Sequence, residues 1–292
     1  MVNKDDHVKI LISNRTENSL GSLLKEGISK LGANAEIVGT INTVEKAIKV
    51  SINADCLVGM PAELLYMSKK APFLRPKSVL LAADYIPQSI IGSIKDTWKC
   101  EVYSHYGHTE FGYGCAVDCK FNHGLHLRDA HFIFEIIDPE TGIPVKQGEK
   151  GEIVITTLSN EAMPLIRYRT GNISSFVTEA CKCGGNLHRF SRLDGRYESV
   201  ISLGNGKSIS IHQLDELLFA NKSVSGFEAC LIKESGKTTL LLKIESSQNI
   251  DEEIFLKILP DEVDLKIEYG SFDPFKNRGK RRIKIINEQK EN

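Results

Sequence analysis

The sequence predicts an α/β fold: a parallel sheet clad with helices, extended by an antiparallel meander, then a small α+β C-terminal unit. Three observations carry this expectation. Near-continuous apolar runs alternate with helix-like segments over the first hundred residues. Two turn-linked apolar runs follow His131, and strands and helices alternate again beyond residue 196.

The elements follow in order. Val8 to Ile12 reads as a strand, and Ser19 to Leu31 has helical apolar spacing that stops before Gly32. Ala35 to Val38 is a second short strand, and a helix begins near Val44. Asp55 to Gly59 is a buried strand that runs into a helix started by Pro61. Ser78 to Ala83 repeats the pattern, with a helix after Pro87 and a strand from Glu101 to Ser104. Apolar strands separated by helices form parallel sheets covered on both faces. Phe132 to Ile137 and Gly151 to Thr157 are strands joined through the turn-rich Asp138-Pro139-Glu140-Thr141-Gly142. Beyond a boundary near residue 196, a strand spans Lys207 to Ile211 and a helix Gln213 to Ala220. Leu240 to Ile244 and Leu265 to Tyr269 are further strands, and Gly204-Asn205-Gly206 reads as a hairpin turn. The expected domains are therefore 1–195 and 196–292.

Composition excludes several classes of function. With 37 basic against 38 acidic residues, no global field would attract nucleic acid or anionic lipid. Charged Lys4, Asp5, Asp6 and Lys9 break up the N-terminus, and no apolar run is long enough to span a membrane. A cytoplasmic location follows as the default, where seven cysteines are not expected to form a disulfide framework. Cys56, Cys100 and Cys230 sit in apolar runs and read as core residues, whereas Cys115, Cys119, Cys181 and Cys183 lie among glycines and polar residues.

In parallel sheets, ligands bind at the carboxyl ends of the strands. The strand from Glu101 ends there at Tyr106-Gly107-His108-Thr109-Glu110. Further along stand Thr156-Thr157-Leu158, then Met163-Pro164-Leu165-Ile166-Arg167-Tyr168-Arg169-Thr170-Gly171-Asn172, with Gly148-Glu149 and Gly151-Glu152 upstream. Leu193-Asp194-Gly195-Arg196 and Gly279-Lys280 complete the series. In this order the motifs resemble the phenylacetate–CoA ligase branch of the adenylate-forming (AMP-binding) superfamily. The resemblance implies a partial adenylate-forming large domain followed by a mobile C-terminal lid. It lacks the N-terminal segment with the phosphate loop, so a truncated product, one half of a split enzyme or a loop-free homologue is expected.

What the resemblance implies for residues follows from the chemistry. Members join a carboxylic acid to AMP with loss of pyrophosphate, then usually pass the acyl group to coenzyme A. Carboxylate and phosphate repel, so the first step needs positive charge and hydrogen-bond donors at the α-phosphate. Glu110 would hold magnesium, Thr109 would donate to a phosphate oxygen, and Tyr106 and Gly107 would form the adenine wall. Asp84 stands where members have an adenine-contacting turn, although it also reads as an ordinary residue ahead of a Pro-started helix. Members carry Asp where this chain has Asn172; the amide keeps one acceptor and swaps the other for a donor, which weakens the grip on ribose hydroxyls. Arg196 would reach the nucleotide or else hold a structural carboxylate, with Glu198 keeping the charge two residues on. Lys280 would serve adenylation, in competition with a solvated basic tail of Lys276, Arg278, Arg281, Arg282 and Lys284.

Cys181-Lys182-Cys183-Gly184-Gly185 is a tight knuckle able to supply two thiolates, and Cys119 with His126 could complete a structural zinc tetrahedron. Cys115 and His123 are substitute ligands, and four reduced cysteines are the plain alternative. Cysteine-bearing members of the branch space these residues in the same way. His105, His108 and His131 read as packing or substrate-lining groups.

The expected function is thus an AMP-forming acid–CoA ligase-like protein acting on an aryl or arylacetic acid, with ATP, magnesium, coenzyme A and zinc. A cofactor-adenylating relative without CoA transfer is a close variant. The rival from another class is a truncated, non-catalytic nucleotide-binding homologue. An N-terminal half or a second copy of the chain would be its protein partner.

Overall fold

The parallel half of the main sheet is built from short strands whose alternate residues feed two separate cores. The computed structural model describes residues 1–16, 19–112, 114–159, 163–234, 237–276 and 281–287. Its first part runs β1 (His7–Ile10), α1 (Leu20–Lys30), β2 (Asn34–Ile37), α2 (Val44–Ser51), β3 (Cys56–Gly59), α3 (Pro61–Lys70), β4 (Ser78–Leu81), α4 (Gln88–Trp98) and β5 (Glu101–Tyr106). The next part runs β6 (Ala116–Asp118), β7 (Leu125–Leu127), β8 (Phe132–Ile137), β9 (Gly151–Thr157), β10 (Tyr168–Ser174) and β11 (Arg189–Phe190). Last come β12 (Ile201–Gly204), β13 (Lys207–Ile209), α5 (Ile211–Phe219), β14 (Val224–Glu234), β15 (Lys237–Ser246), β16 (Val263–Tyr269) and β17 (Lys284–Asn287).

The strand order β11-β7-β6-β5-β4-β3-β1-β2 gives an eight-stranded sheet, parallel from β2 to β5 and antiparallel beyond. Chain direction across the sheet reverses between β1 and β3, the kind of switch point that leaves a crevice at the carboxyl ends. In β3, Cys56 and Val58 face the core shared with Ile28 of α1, whereas Leu57 faces the α3–α4 side. The expected meander is the sheet β10-β9-β8, in which Phe132 pairs with Thr157 and Ile137 with Glu152.

The C-terminal part holds the mixed sheet β16-β15-β14-β17 and the hairpin β12–β13, which turns at Asn205 and Gly206, both with positive φ. Its helix starts two residues before the position expected at Gln213. Ser210 caps α5 by accepting from the Gln213 amide, and the Gln213 side chain accepts in return from the Ser210 amide, so the helix opens at Ile211. Cys230, expected in the core, is half-buried in β14.

One hydrophobic cluster joins Leu64, Ile90, Ile94 and Trp98 to Leu214, Leu218, Phe227 and Leu240, crossing position 196. Polar contacts rim this interface. The N-cap of α4 is Pro87, which has no side-chain acceptor to offer. Glu216 of α5 supplies it, accepting from the amides of Gln88 at 2.6 Å and Ser89 at 3.0 Å. Lys70 pairs with Glu245 at 2.7 Å, and Lys222 with Asp96 at 2.8 Å. No helix among the described residues is long and apolar enough to cross a membrane.

Candidate functional site

A cavity of about 470 Å³ opens at the carboxyl ends of the strands. The strand β5 runs through to Tyr106, past the Ser104 end that the sequence suggested, because Tyr106 pairs with Ala116 of β6. A single turn, Thr109–Phe111, then ends at Gly112 in a left-handed conformation. The loop is held from inside by rings: His108 stacks on Phe111 at 5.1 Å and meets Tyr106 edge-on at 5.5 Å.

The described candidates converge on this cavity. Asp84, from the loop after β4, lines it together with Tyr106, Gly107, Thr109 and Glu110, with Asn172 of β10 and with Arg196. Asn172 and Arg196 form an antiparallel bridge, so the Asn172 motif and the Leu193–Arg196 segment are one piece of backbone pairing. Lys280 and Gly279 lie outside the described residues. Their neighbour Arg281 is described, and its backbone amide lies 3.5 Å from Asp84 Oδ2 at the cavity.

The amide of Asn172 is engaged on the protein side. Its Nδ2 donates to the Tyr106 hydroxyl at 3.0 Å and to His108 Nε2 at 2.8 Å. An accepting Nε2 puts the ring proton of neutral His108 on Nδ1, the nitrogen 3.6 Å from Glu110 Oε2. One amide oxygen is then the acceptor that position 172 can offer a ligand.

Several cavity residues carry shifted acidities. Burial raises the Tyr106 hydroxyl well above the usual phenol range. Burial pushes His105 down to about 4, with Arg128 acting in the same direction. His212 is likewise pushed down to about 4 by burial, then by Arg196 and Arg281. Both histidines are therefore neutral at physiological pH. The sequence pattern had not singled out His212, Arg192, Ser104 or Asp118, all of which line the cavity. One signal for His212 was Gly195. At φ +101°, a Cβ there would come within 2.0 Å of His212 Nδ1, so position 195 has to carry glycine beneath α5.

A second cluster draws on the segments after β6 and before β11, with one residue of β7. The ligand atoms of Cys119, His126, Cys181 and Cys183 all lie within 4.8 Å of one another. Cys119 Sγ is 3.7 Å from Cys181 Sγ, and Cys183 Sγ is 3.7 Å from His126 Nε2. A tetrahedral ion with metal–sulfur bonds of about 2.3 Å holds sulfurs about 3.8 Å apart, so the spacing fits zinc. The Gly185 amide donates to Cys183 Sγ at 3.4 Å, a contact that suits a thiolate. The two substitute ligands lie elsewhere: Cys115 is buried in the apolar cluster of Tyr106 and Phe132, and His123 faces Arg189.

No protein-family model matches the chain. Curated relatives do. The phenylacetate–coenzyme A ligase of Thermus thermophilus is 34% identical over 161 residues, which is 54% of this chain and 36% of that protein. The phenylacetate–coenzyme A ligase of Aromatoleum evansii is 32% identical over 143 residues, 48% of this chain and 32% of that protein. The chain is a homologue of the phenylacetate–CoA ligases. It spans about a third of the length of these curated relatives. Solved CoA ligases share the fold. A 2-hydroxyisobutyryl-CoA ligase in its postadenylation state, bound to an acyl-AMP, superposes with a TM-score of 0.80 at 15% identity, covering 99% of this chain and 66% of that one. The same ligase in its thioesterification state, with CoA, gives 0.60 at 16% identity over 98% and 66%. An anthranilate CoA ligase bound to anthranoyl-AMP gives 0.64 at 13% identity over 93% and 57%. Homology to phenylacetate–CoA ligases and the adenylate-forming CoA ligase fold thus come from independent comparisons.

Proposed function

We propose that this chain provides the nucleotide-binding, acid-activating part of an AMP-forming acid–CoA ligase, with an aryl or arylacetic acid as substrate. The observation that carries the reading is convergence. Residues from the β4 loop, the β5 loop, β10 and the 193–196 segment, far apart in sequence, line one cavity. In this reading Tyr106 and Gly107 flank adenine and Asn172 accepts from a ribose hydroxyl. Thr109 donates to a phosphate oxygen, and Arg196 neutralises phosphate charge as the acid carboxylate approaches. Glu110, half-exposed at the cavity, suits magnesium, which takes one or two carboxylates and fills its remaining positions with water and phosphate oxygens. The ion would offset the repulsion between carboxylate and phosphate. Lys280 is assigned to adenylation and residues 196–292 to a lid that presents it; coenzyme A is the acyl acceptor.

A structural zinc at Cys119, His126, Cys181 and Cys183 is part of the proposal. It would staple the strand after the nucleotide loop to the segment that precedes β11. A second reading, a nucleotide-binding homologue that does not turn over alone, is favoured by Asn172, whose amide nitrogen is spent on Tyr106 and His108. Pyrophosphate release with ATP, magnesium and a panel of aryl acids separates the two readings. Release that disappears in Glu110→Gln and Arg196→Ala is expected. AMP binding by calorimetry without release, with or without an added N-terminal half of a relative, would establish the second reading instead.

A further inference from the structure

We infer that Arg189 is the counter-ion of the zinc centre: it balances the charge of three thiolates and clamps together the two segments that supply them. The inference rests on the zinc reading above.

The starting point is a buried charge. Arg189 of β11 is 3% exposed, and an arginine keeps its proton inside a protein. Its guanidinium donates to the carbonyls of His123 and Glu179, with His123 Nδ1 3.3 Å from Nη1. Among the described residues no Asp or Glu forms an ion pair with it. Carbonyl dipoles satisfy donors but carry no net charge, and a buried cation without an opposite charge is costly. An anion has to stand beside it.

Strand register shows which. Arg189 stands opposite His126 in the β7–β11 pairing, and directly opposed side chains share a face with Cβ atoms about 5 Å apart. His126 is one of the four candidate ligands, its Nε2 3.7 Å from Cys183 Sγ. A zinc ion brings two positive charges, the thiolates of Cys119, Cys181 and Cys183 bring three negative ones, and His126 is a neutral ligand. The centre so formed carries one negative charge, which the one positive charge of Arg189 balances.

The hydrogen bonds put that charge where the two halves of the centre meet. His123 lies between Cys119 and His126, and Glu179 is two residues before Cys181. One planar fork thus spans the loop after β6 and the knuckle before β11. A lysine would bring the charge without the fork. The clamp also bears on the cavity. The Arg189 carbonyl accepts from the Val177 amide at 2.9 Å and the Ser191 amide donates to the Ser175 carbonyl at 2.8 Å, which pins the backbone leading to Arg192 at the cavity wall.

The test uses the full chain, titrated with zinc against a chromogenic chelator of known affinity. Arg189→Met keeps an extended side chain and removes the charge; it should weaken zinc binding by about ten- to a hundredfold. Arg189→Lys should recover most of that loss. The charge balance has its own check in Cys183→His, which makes the centre neutral. In that background Arg189→Met should leave zinc affinity unmoved or improve it, a non-additivity that a merely structural clamp does not produce. Equal losses in the two backgrounds, unchanged zinc affinity in Arg189→Met, or Arg189→Lys no better than Arg189→Met would each overturn the inference and leave the zinc staple in place. Should Arg189→Met fail to fold, Arg189→Lys decides against wild type: near-native zinc affinity is expected, and a loss of about tenfold or more would overturn the inference. A wild-type chain that binds no zinc would overturn both the inference and the staple, without touching the acid-activating reading.

Discussion

Arg281→Leu is the substitution whose effect can be worked furthest from the structure. Arg281 points Nη2 and Nε at one oxygen of Asp215, at 2.7 and 3.0 Å, and donates Nη1 to the Phe227 carbonyl at 3.3 Å. Its guanidinium also lies 4.4 Å from the Phe227 ring centroid. The two side chains are 15% and 3% exposed, so solvent does little to screen them. Leucine fills much of the volume but leaves the Asp215 carboxylate buried without its cation, and a buried pair broken on one side costs about 3–5 kcal/mol. The loss depends on pH with a definite sign. Burial already pushes Asp215 up to about 6 against the pull of Arg281, and removing the arginine raises it further. A carboxyl whose folded pKa lies above its unfolded one binds more protons when folded, so stability falls as pH rises through that window. Urea denaturation of Arg281→Leu should therefore show a small deficit at about pH 5 and the full deficit at about pH 8. The double variant Asp215→Leu/Arg281→Leu should recover most of it. A deficit below about 1 kcal/mol at the higher pH, or equal deficits at both, would refute the assignment of a buried ion pair.

Three further outcomes follow. Glu216→Gln removes a carboxylate from the N-terminus of α4, where Pro87 offers no substitute; stability should fall by about 1–2 kcal/mol in thermal or urea melts. Metal analysis of gently purified protein should give one zinc per chain, abolished by Cys183→Ser or by chelation and accompanied by a lower melting temperature; a metal-free protein that melts unchanged would remove the staple. Asn172→Asp supplies a second acceptor at the ribose position and should tighten AMP by about tenfold in calorimetry, with the His108 proton shifting to Nε2. Unchanged affinity there would detach position 172 from the ribose.

Much of the architecture was legible because its determinants are local. The parallel strands announce themselves as apolar runs, and Pro61 and Gly32 mark helix ends that the structure keeps within a residue or two. The turn at Asn205-Gly206 needs only its own φ values. What stayed hidden depends on pairing across the chain. The strands β6, β7 and β11 are two or three residues long and exist because β5 offers them an edge. The start of α5 was misplaced because a capping box at Ser210 outweighs the β-like look of Ile209 and Ile211. At the site, the motif-bearing residues were nameable from spacing. Ser104, Asp118 and His212 were not, since each matters only through a neighbour that register or packing brings to it. Lys280 was nameable from Gly279-Lys280, yet its structure lies outside the described residues.

Gly195 shows how the cavity and the C-terminal part are tied together. The segment Leu193–Arg196 pairs through Arg196 with Asn172, whose amide reaches Tyr106 and His108 at the end of β5. On its other side, the same segment lies so close under α5 that His212 occupies the place of a side chain at position 195. The His212 ring in turn rests 4.1 Å from that of Tyr85, on the loop that carries Asp84. Three cavity walls thus meet on one stretch of backbone and one ring. If residues 196–292 move as a lid, His212 leaves Tyr85 and the Gly195 contact opens in the same motion. The neutrality of His212 fits its place, because an imidazolium beside Arg196 and Arg281 would be repelled by both.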